Sequence, residues 1–222
     1  MSLVLYTDAH WISPYVYSCF VALHEKGARF ETRSVALQDG AQHDPQFAQH
    51  SLTARVPALQ DGFFWLSESS AIIEYLDETL PGPRLLPESV KERARARQLM
   101  AWLRSDLGPL REERPTTTMF YNHSSAPLSA ACEKAVAKLL RVAETVLEGR
   151  TQLFHAWSQA DADLAFMLGR LILNDIAVPP ALRAFFDTQW ARPSVRAFVE
   201  RDRIPYVEYP EGAPLAPPKP KK

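Results

Sequence analysis

Val56-Pro57-Ala58-Leu59-Gln60-Asp61-Gly62-Phe63-Phe64-Trp65-Leu66-Ser67-Glu68-Ser69-Ser70-Ala71-Ile72-Ile73-Glu74-Tyr75-Leu76 is the stretch whose reading decides the fold. Val56 to Leu59 is a strand that opens on a proline. Asp61-Gly62 is a two-residue hairpin signal, with Phe63 to Leu66 as the return strand. Ser67-Glu68-Ser69-Ser70 caps a helix carrying Ile72, Ile73, Tyr75 and Leu76, and Pro81-Gly82-Pro83 stops it.

Working back from that stretch, Leu3 to Thr7 is a short apolar run that reads as a buried strand. Ser13 suits a helix cap and Pro14 the first helical position. Val16, Phe20 and Leu23 follow at helical spacing, and Gly27 closes the helix. Arg29 to Leu37 alternates and reads as a second strand, and Pro45 to Gln49 as a short helix. The order is strand, helix, strand, an irregular segment, then strand, strand, helix. That is a small mixed α/β domain over residues 1–80.

Working forward, the strand signal disappears after Pro87. Leu99, Leu103, Leu107 and Leu110 form one helical stripe, and Val136, Leu139, Leu140, Ala143 and Leu147 another. Ser158 to Asp161 has the spacing of a capping box before Leu164, Met167, Leu168 and Leu171. Further helices are expected over Pro180 to Gln189 and Ser194 to Glu200. Residues 88–203 read as an all-helical domain. Residues 204–222 read as a proline-rich tail, holding six of the chain's 18 prolines.

The whole-chain figures narrow the possible functions. The chain has 222 residues, 46% hydrophobic and 23% charged, with a formal net charge of −1. This is a globular composition with enough length to bury a core. A near-neutral balance argues against a nucleic-acid partner, whose phosphates select a basic face. The two cysteines, Cys19 and Cys132, exclude a disulfide framework and a cysteine-rich zinc site. The six histidines show no paired ligand spacing, so no metal is expected. No targeting or membrane-spanning segment is legible, and the expected setting is cytoplasmic.

Three places can carry chemistry, and each also has a purely structural reading. Ser13 at a helix N-terminus is either a plain cap or a hydroxyl beside an anion site. Val56-Pro57 is either an edge-strand proline or a cis bond that turns the Val56 N–H and C=O toward an extended ligand. Glu68-Ser69 is either ordinary capping or a clamp, with Ser69 holding a carboxylate and Glu68 an amine. Together the three suit a small zwitterionic peptide.

At this point the residues resemble the soluble glutathione transferases over nearly the whole chain. Trp11-Ile12-Ser13-Pro14-Tyr15, followed by Ala22 to Gly27, looks like the serine-type active-site segment of the tau-like pattern and its bacterial, theta-like and zeta-like relatives. Arg55-Val56-Pro57-Ala58-Leu59 looks like the family's cis-proline strand, and Leu66 to Leu76 is the most specific piece. The Ser158 to Asp161 box resembles the family's buried capping motif.

The resemblance implies a thioredoxin-like α/β N-terminal domain and an all-α C-terminal helical bundle. It implies that Ser13 is catalytic and donates its hydroxyl proton to the sulfur of glutathione, the co-substrate. Val56 then pairs with the cysteinyl part, and Glu68 and Ser69 hold the γ-glutamyl end. Pro57 is a structural cis-proline. Gln42 falls where related enzymes often carry a lysine for the glycyl carboxylate, with His43 or Arg55 as substitutes. The implied reaction is conjugation to a small hydrophobic electrophile, with a peroxidase activity beside it, in a homodimer. Alternatives are a glutathione-dependent thiol-disulfide reductase and a non-enzymatic glutathione-fold binding module.

Trp11, Trp102, Phe120 and Tyr121 either line an apolar cleft for the second substrate or belong to the core. Cys19, on the body of the first helix, reads as buried core. Tyr6 lies inside the strand run. Lys91, Arg93, Arg95 and Arg97 read as a solvated helical face. Asp106 is placed to reach a partner subunit's glutathione amine.

Overall fold

In the computed structural model, which describes residues 2–208, the first strand β1 spans Leu3–Asp8. It is the second of four strands in the order β2-β1-β3-β4, where β2 is Phe30–Val35, β3 is Ala58–Asp61 and β4 is Phe64–Ser67. β1 and β2 are parallel, joined by the helix α1, Pro14–Glu25. β3 runs antiparallel to both β1 and β4, with Leu5 opposite Leu59 and Leu59 opposite Leu66. Helix α2, Pro45–Ala48, lies in the irregular segment, and α3, Ser69–Thr79, follows β4 directly.

Local chemistry sets these boundaries. α1 ends as a Schellman motif: Gly27 N–H donates to His24 C=O and Ala28 N–H to Leu23 C=O, with Gly27 at φ 62°. The hairpin loop is Gly62-Phe63, one residue later than Asp61-Gly62, because Asp61 still pairs with Phe64. Phe63 sits fully exposed at the tip.

The remaining helices are α4 (Val90–Ser105), α5 (Gly108–Glu113), α6 (Thr117–Phe120), α7 (Ala130–Leu147), α8 (Gln159–Ile172), α9 (Pro180–Trp190) and α10 (Pro193–Val199). The expected fold class, a mixed α/β part followed by an all-helical part, is the observed one. One expected stripe is broken. Leu99 and Leu103 lie on α4 and Leu110 on α5, with Leu107 between them in a left-handed turn at φ 62°. All four leucines are still buried. The capping box forms at α8: Asp161 accepts from the Ser158 N–H at 2.9 Å and the Leu153 N–H at 2.7 Å.

α1 sits between the sheet and the helical part. Tyr17 is fully buried, stacks on Phe166 at 4.2 Å, and donates its hydroxyl to the Ala162 carbonyl at 3.3 Å. Beside it Arg104 of α4 pairs with Asp163 of α8 at 2.8 Å, while Ser18 of α1 donates to Asp163 at 2.5 Å. Arg192, ahead of α10, forks onto Glu25 at the end of α1. The helix that starts at Ser13 is therefore fixed on both sides. Of the proline-rich segment read at 204–222, residues 209–222 lie outside the described residues.

Candidate active site

After β1 the chain turns through Trp11 at φ 54° and delivers Ser13 to the start of α1. The turn is held by Asp8. Its Oδ2 accepts the Ile12 N–H at 2.8 Å and its Oδ1 the Ser13 N–H at 3.1 Å. Burial pushes the Asp8 carboxyl above its usual range, against the lowering effect of those two amides. The Ser13 Oγ accepts the Val16 N–H at 3.3 Å as the α1 cap. That bond uses a lone pair and leaves the hydroxyl proton available to donate.

Ser13 lies in the wall of a pocket of about 360 Å³, together with Asp8, Gln42, Arg55, Val56 and Thr116. The Val56-Pro57 bond is cis. Among the described residues neither the N–H nor the C=O of Val56 takes a hydrogen bond, so both remain available at the pocket wall. Gln42 and His43 line the same wall, and the Gln42 side-chain oxygen is buried without a partner among the described residues. The structure thus brings Ser13, Gln42, Arg55 and Val56 together.

Glu68 and Ser69 stand at the start of α3, outside the lining of that pocket. The capping expected from Ser67 to Ser70 takes a different form. Glu68 is the residue before the helix, at φ 72°, and no side chain caps the first turn. The leading amides of α3 stay open, and the Glu68 carboxylate is exposed with no ion pair among the described residues. The Ser69 Oγ is buried and accepts a long contact from Arg104 Nε at 3.4 Å.

Of the four aromatic residues offered for a second-substrate cleft, Trp11 and Phe120 pack on the same Phe198 and the Tyr121 hydroxyl reaches the His10 carbonyl at 3.4 Å, while Trp102 stands apart. Trp11 is buried against Phe20 and Phe198, with the Arg201 guanidinium 3.8 Å above its ring. Its positive φ turns it inward, which spacing alone does not reveal. Trp102 instead lines a groove between α4 and α7. Phe120 packs on Phe166 and under Arg203, and Tyr121 donates to the Ile204 carbonyl at 2.8 Å. Asp106 is bound by Lys138 and accepts the Trp102 indole N–H at 2.8 Å. Cys19 is fully buried and burial drives its thiol strongly upward, so it stays protonated. Tyr6 bonds Gln60, packs tilted against Trp65 and lines a different pocket from Ser13.

Sequence reading passed over Asp8 and Thr116. Asp8 had a legible signal, an acid closing a strand four residues before a loop amide, the usual start of an Asx-type turn. Thr116 had none, because it reaches the pocket from the helical part. Among the described residues no group of three or more His, Cys, Asp or Glu side chains is arranged to hold a metal ion. Among the described residues no helix is long and apolar enough to cross a membrane.

Residues 12–79 match the family model for the glutathione S-transferase N-terminal domain, and residues 89–202 that for its C-terminal domain. A probable maleylacetoacetate isomerase of Vibrio cholerae is 40% identical over 116 residues, covering 51% of this chain and 53% of that protein. Glutathione S-transferase Z1 of Arabidopsis thaliana is 38% identical over 101 residues, 46% of each chain. The chain thus spans about half the length of these curated relatives. Among solved structures, a glutathione transferase homologue from Burkholderia, crystallised with bound glutathione, is 42% identical with a TM-score of 0.75, covering 90% of this chain and 97% of its own.

Proposed function

The chain belongs to the soluble glutathione transferase family, and from that premise we propose that it activates the thiol of glutathione at Ser13 and transfers it to an electrophile. One observation carries the reading. Ser13 caps α1 with its proton uncommitted, in the same pocket as the unpaired main chain of Val56.

In this reading glutathione lies extended along the segment before β3. Its cysteinyl amide pairs with the Val56 N–H and C=O, as a strand pairs with a sheet edge. That pairing sets the sulfur beside Ser13. The Ser13 O–H donates to the sulfur and favours the thiolate, the nucleophilic form. The positive end of α1 adds to the same effect. The open amides of α3 with the Ser69 hydroxyl receive the γ-glutamyl carboxylate, and Glu68 its amine. Gln42, His43 and Arg55 face the glycyl carboxylate. Pro57 keeps Val56 turned to the ligand. The division into residues 1–80 for glutathione and 88–203 for the second substrate is part of this reading, supported by the ranges of the two family models.

With an aryl chloride the sulfur forms a bond to the ring carbon and chloride leaves. With an organic hydroperoxide the same thiolate attacks the O–O bond and an alcohol leaves. A second glutathione then yields the disulfide and water. The test is conjugation of 1-chloro-2,4-dinitrobenzene by the wild type and Ser13→Ala. The substitution is expected to lower kcat/KM by about 100-fold while the Kd for glutathione changes by less than about threefold. An unchanged rate overturns the assignment of Ser13.

A further inference from the structure

Arg170, on α8, is 3% exposed. Its Nη1 donates to the Arg114 carbonyl at 2.6 Å, whereas Nε is buried without a partner. Neither Nε nor Nη2, the edge that pairs with a carboxylate through two parallel bonds, is engaged among the described residues. No carboxylate lies within ion-pairing distance of it there. The charge beside it is a second cation, Arg111, whose own hydrogen bonds go to the Leu103 and Arg104 carbonyls at 3.0 and 2.9 Å. Burial first, and then Arg111, push Arg170 down to about 10, which still leaves it charged at neutral pH.

Both arginines line a cavity of about 40 Å³. At roughly 10–15 Å³ for each water-sized occupant, it takes a group of about three heavy atoms, the size of a carboxylate. One acid borders the cavity, Asp163: its Oδ1 accepts from Ser18 at 2.5 Å and Gln159 at 3.2 Å, and its Oδ2, without a hydrogen bond, pairs in charge with Arg104 at 2.8 Å, so its one negative charge faces three arginines, Arg104, Arg111 and Arg170. The wall therefore carries an excess of positive charge, with Phe166 and Met167 as its apolar side. Pro14 belongs both to this wall and to the wall of the Ser13 pocket. A molecule with its charged end between the arginines extends over Pro14 toward Ser13.

We propose that Arg170 and Arg111 bind a carboxylate of the second substrate, so that the electrophile this protein takes is a carboxylic acid rather than a purely hydrophobic molecule. This rests on the reading of Ser13 as the site of the glutathione thiolate. The anion accepts from the unengaged Nη2 of Arg170 and neutralises a buried charge that the chain leaves unpaired. It also fixes the electrophilic carbon relative to the sulfur.

The probes are 4-chloro-3-nitrobenzoate and its uncharged analogue 4-chloro-3-nitrobenzamide, measured by calorimetry with S-methylglutathione present so that no reaction occurs. The wild type is expected to bind the benzoate about tenfold more tightly than the benzamide. Arg111→Met, at a half-exposed site on α5, and Arg170→Gln are expected to abolish that preference and leave benzamide binding unchanged. Equal binding of both probes by the wild type overturns the proposal, as does a preference that survives Arg111→Met. If Arg170→Gln does not fold, Arg111→Met alone decides. With glutathione itself, failure to conjugate either probe while the benzoate preference persists overturns the reading of Ser13 and leaves the anion site standing.

Discussion

The Asp8 carboxylate receives the Ser13 N–H at 3.1 Å and the Ile12 N–H at 2.8 Å, so the residue that closes β1 also fixes the residue that opens α1. The strand is pinned in the sheet by β2 and β3 on either side. The position of the Ser13 hydroxyl is thereby referred to the sheet.

Removing that reference is expected to reduce turnover. Asp8→Ala leaves two amides without their acceptor, and kcat/KM for conjugation should fall by about 10- to 100-fold. Asp8→Asn retains one acceptor oxygen and should recover part of the loss. Steady-state kinetics on both variants check this, and equal activity of Asp8→Ala and the wild type contradicts it.

The Arg104–Asp163 pair joins α4 to α8 beneath α1, with side chains 17% and 8% exposed. Breaking one partner strands the other charge. Asp163→Leu should cost about 3–5 kcal/mol in urea unfolding, whereas Arg104→Met with Asp163→Leu should cost less than the single change. If the double variant is the less stable of the two, the pair is not the source of the loss.

Asp161 ties the start of α8 to Leu153 and Ser158. Asp161→Ala leaves two buried amides unpaired and is expected to cost about 2–4 kcal/mol. The carboxyl also has a pH signature. Burial raises it above its unfolded value of about 3.9, so the folded chain binds the extra proton in the window above that value. Its contribution is complete below the unfolded value and is lost as pH rises through the folded one. The stability of the wild type relative to Asp161→Asn should therefore decline from about pH 4 upward and then level off. A difference that grows with pH runs against this assignment.

How far the sequence reached differs with the kind of signal. The stretch from Val56 to Leu76 carried its strands, turn and helix in local patterns, and these formed with shifts of one or two residues. The Ser13 cap with Pro14 at the first helical position, and the Ser158–Asp161 box, are likewise short-range devices. The Leu99 to Leu110 stripe misled because a left-handed turn at Leu107 resets the helix axis, and only the backbone reveals that. Trp11 is carried into the core by the same kind of turn. Arg111 and Arg170 lie on different helices, and nothing periodic links residues that meet only through tertiary packing. An arginine on a helix also reads as solvated until its burial is known.

The state of the sulfur beside Ser13 is read most directly from the ultraviolet absorbance of the bound glutathione thiolate as a function of pH. In the wild type the bound thiol should titrate at least about one pH unit below a free thiol, near 8.5, and in Ser13→Ala it should return close to the free value. The same titration in both proteins would contradict the claim that Ser13 activates the thiol.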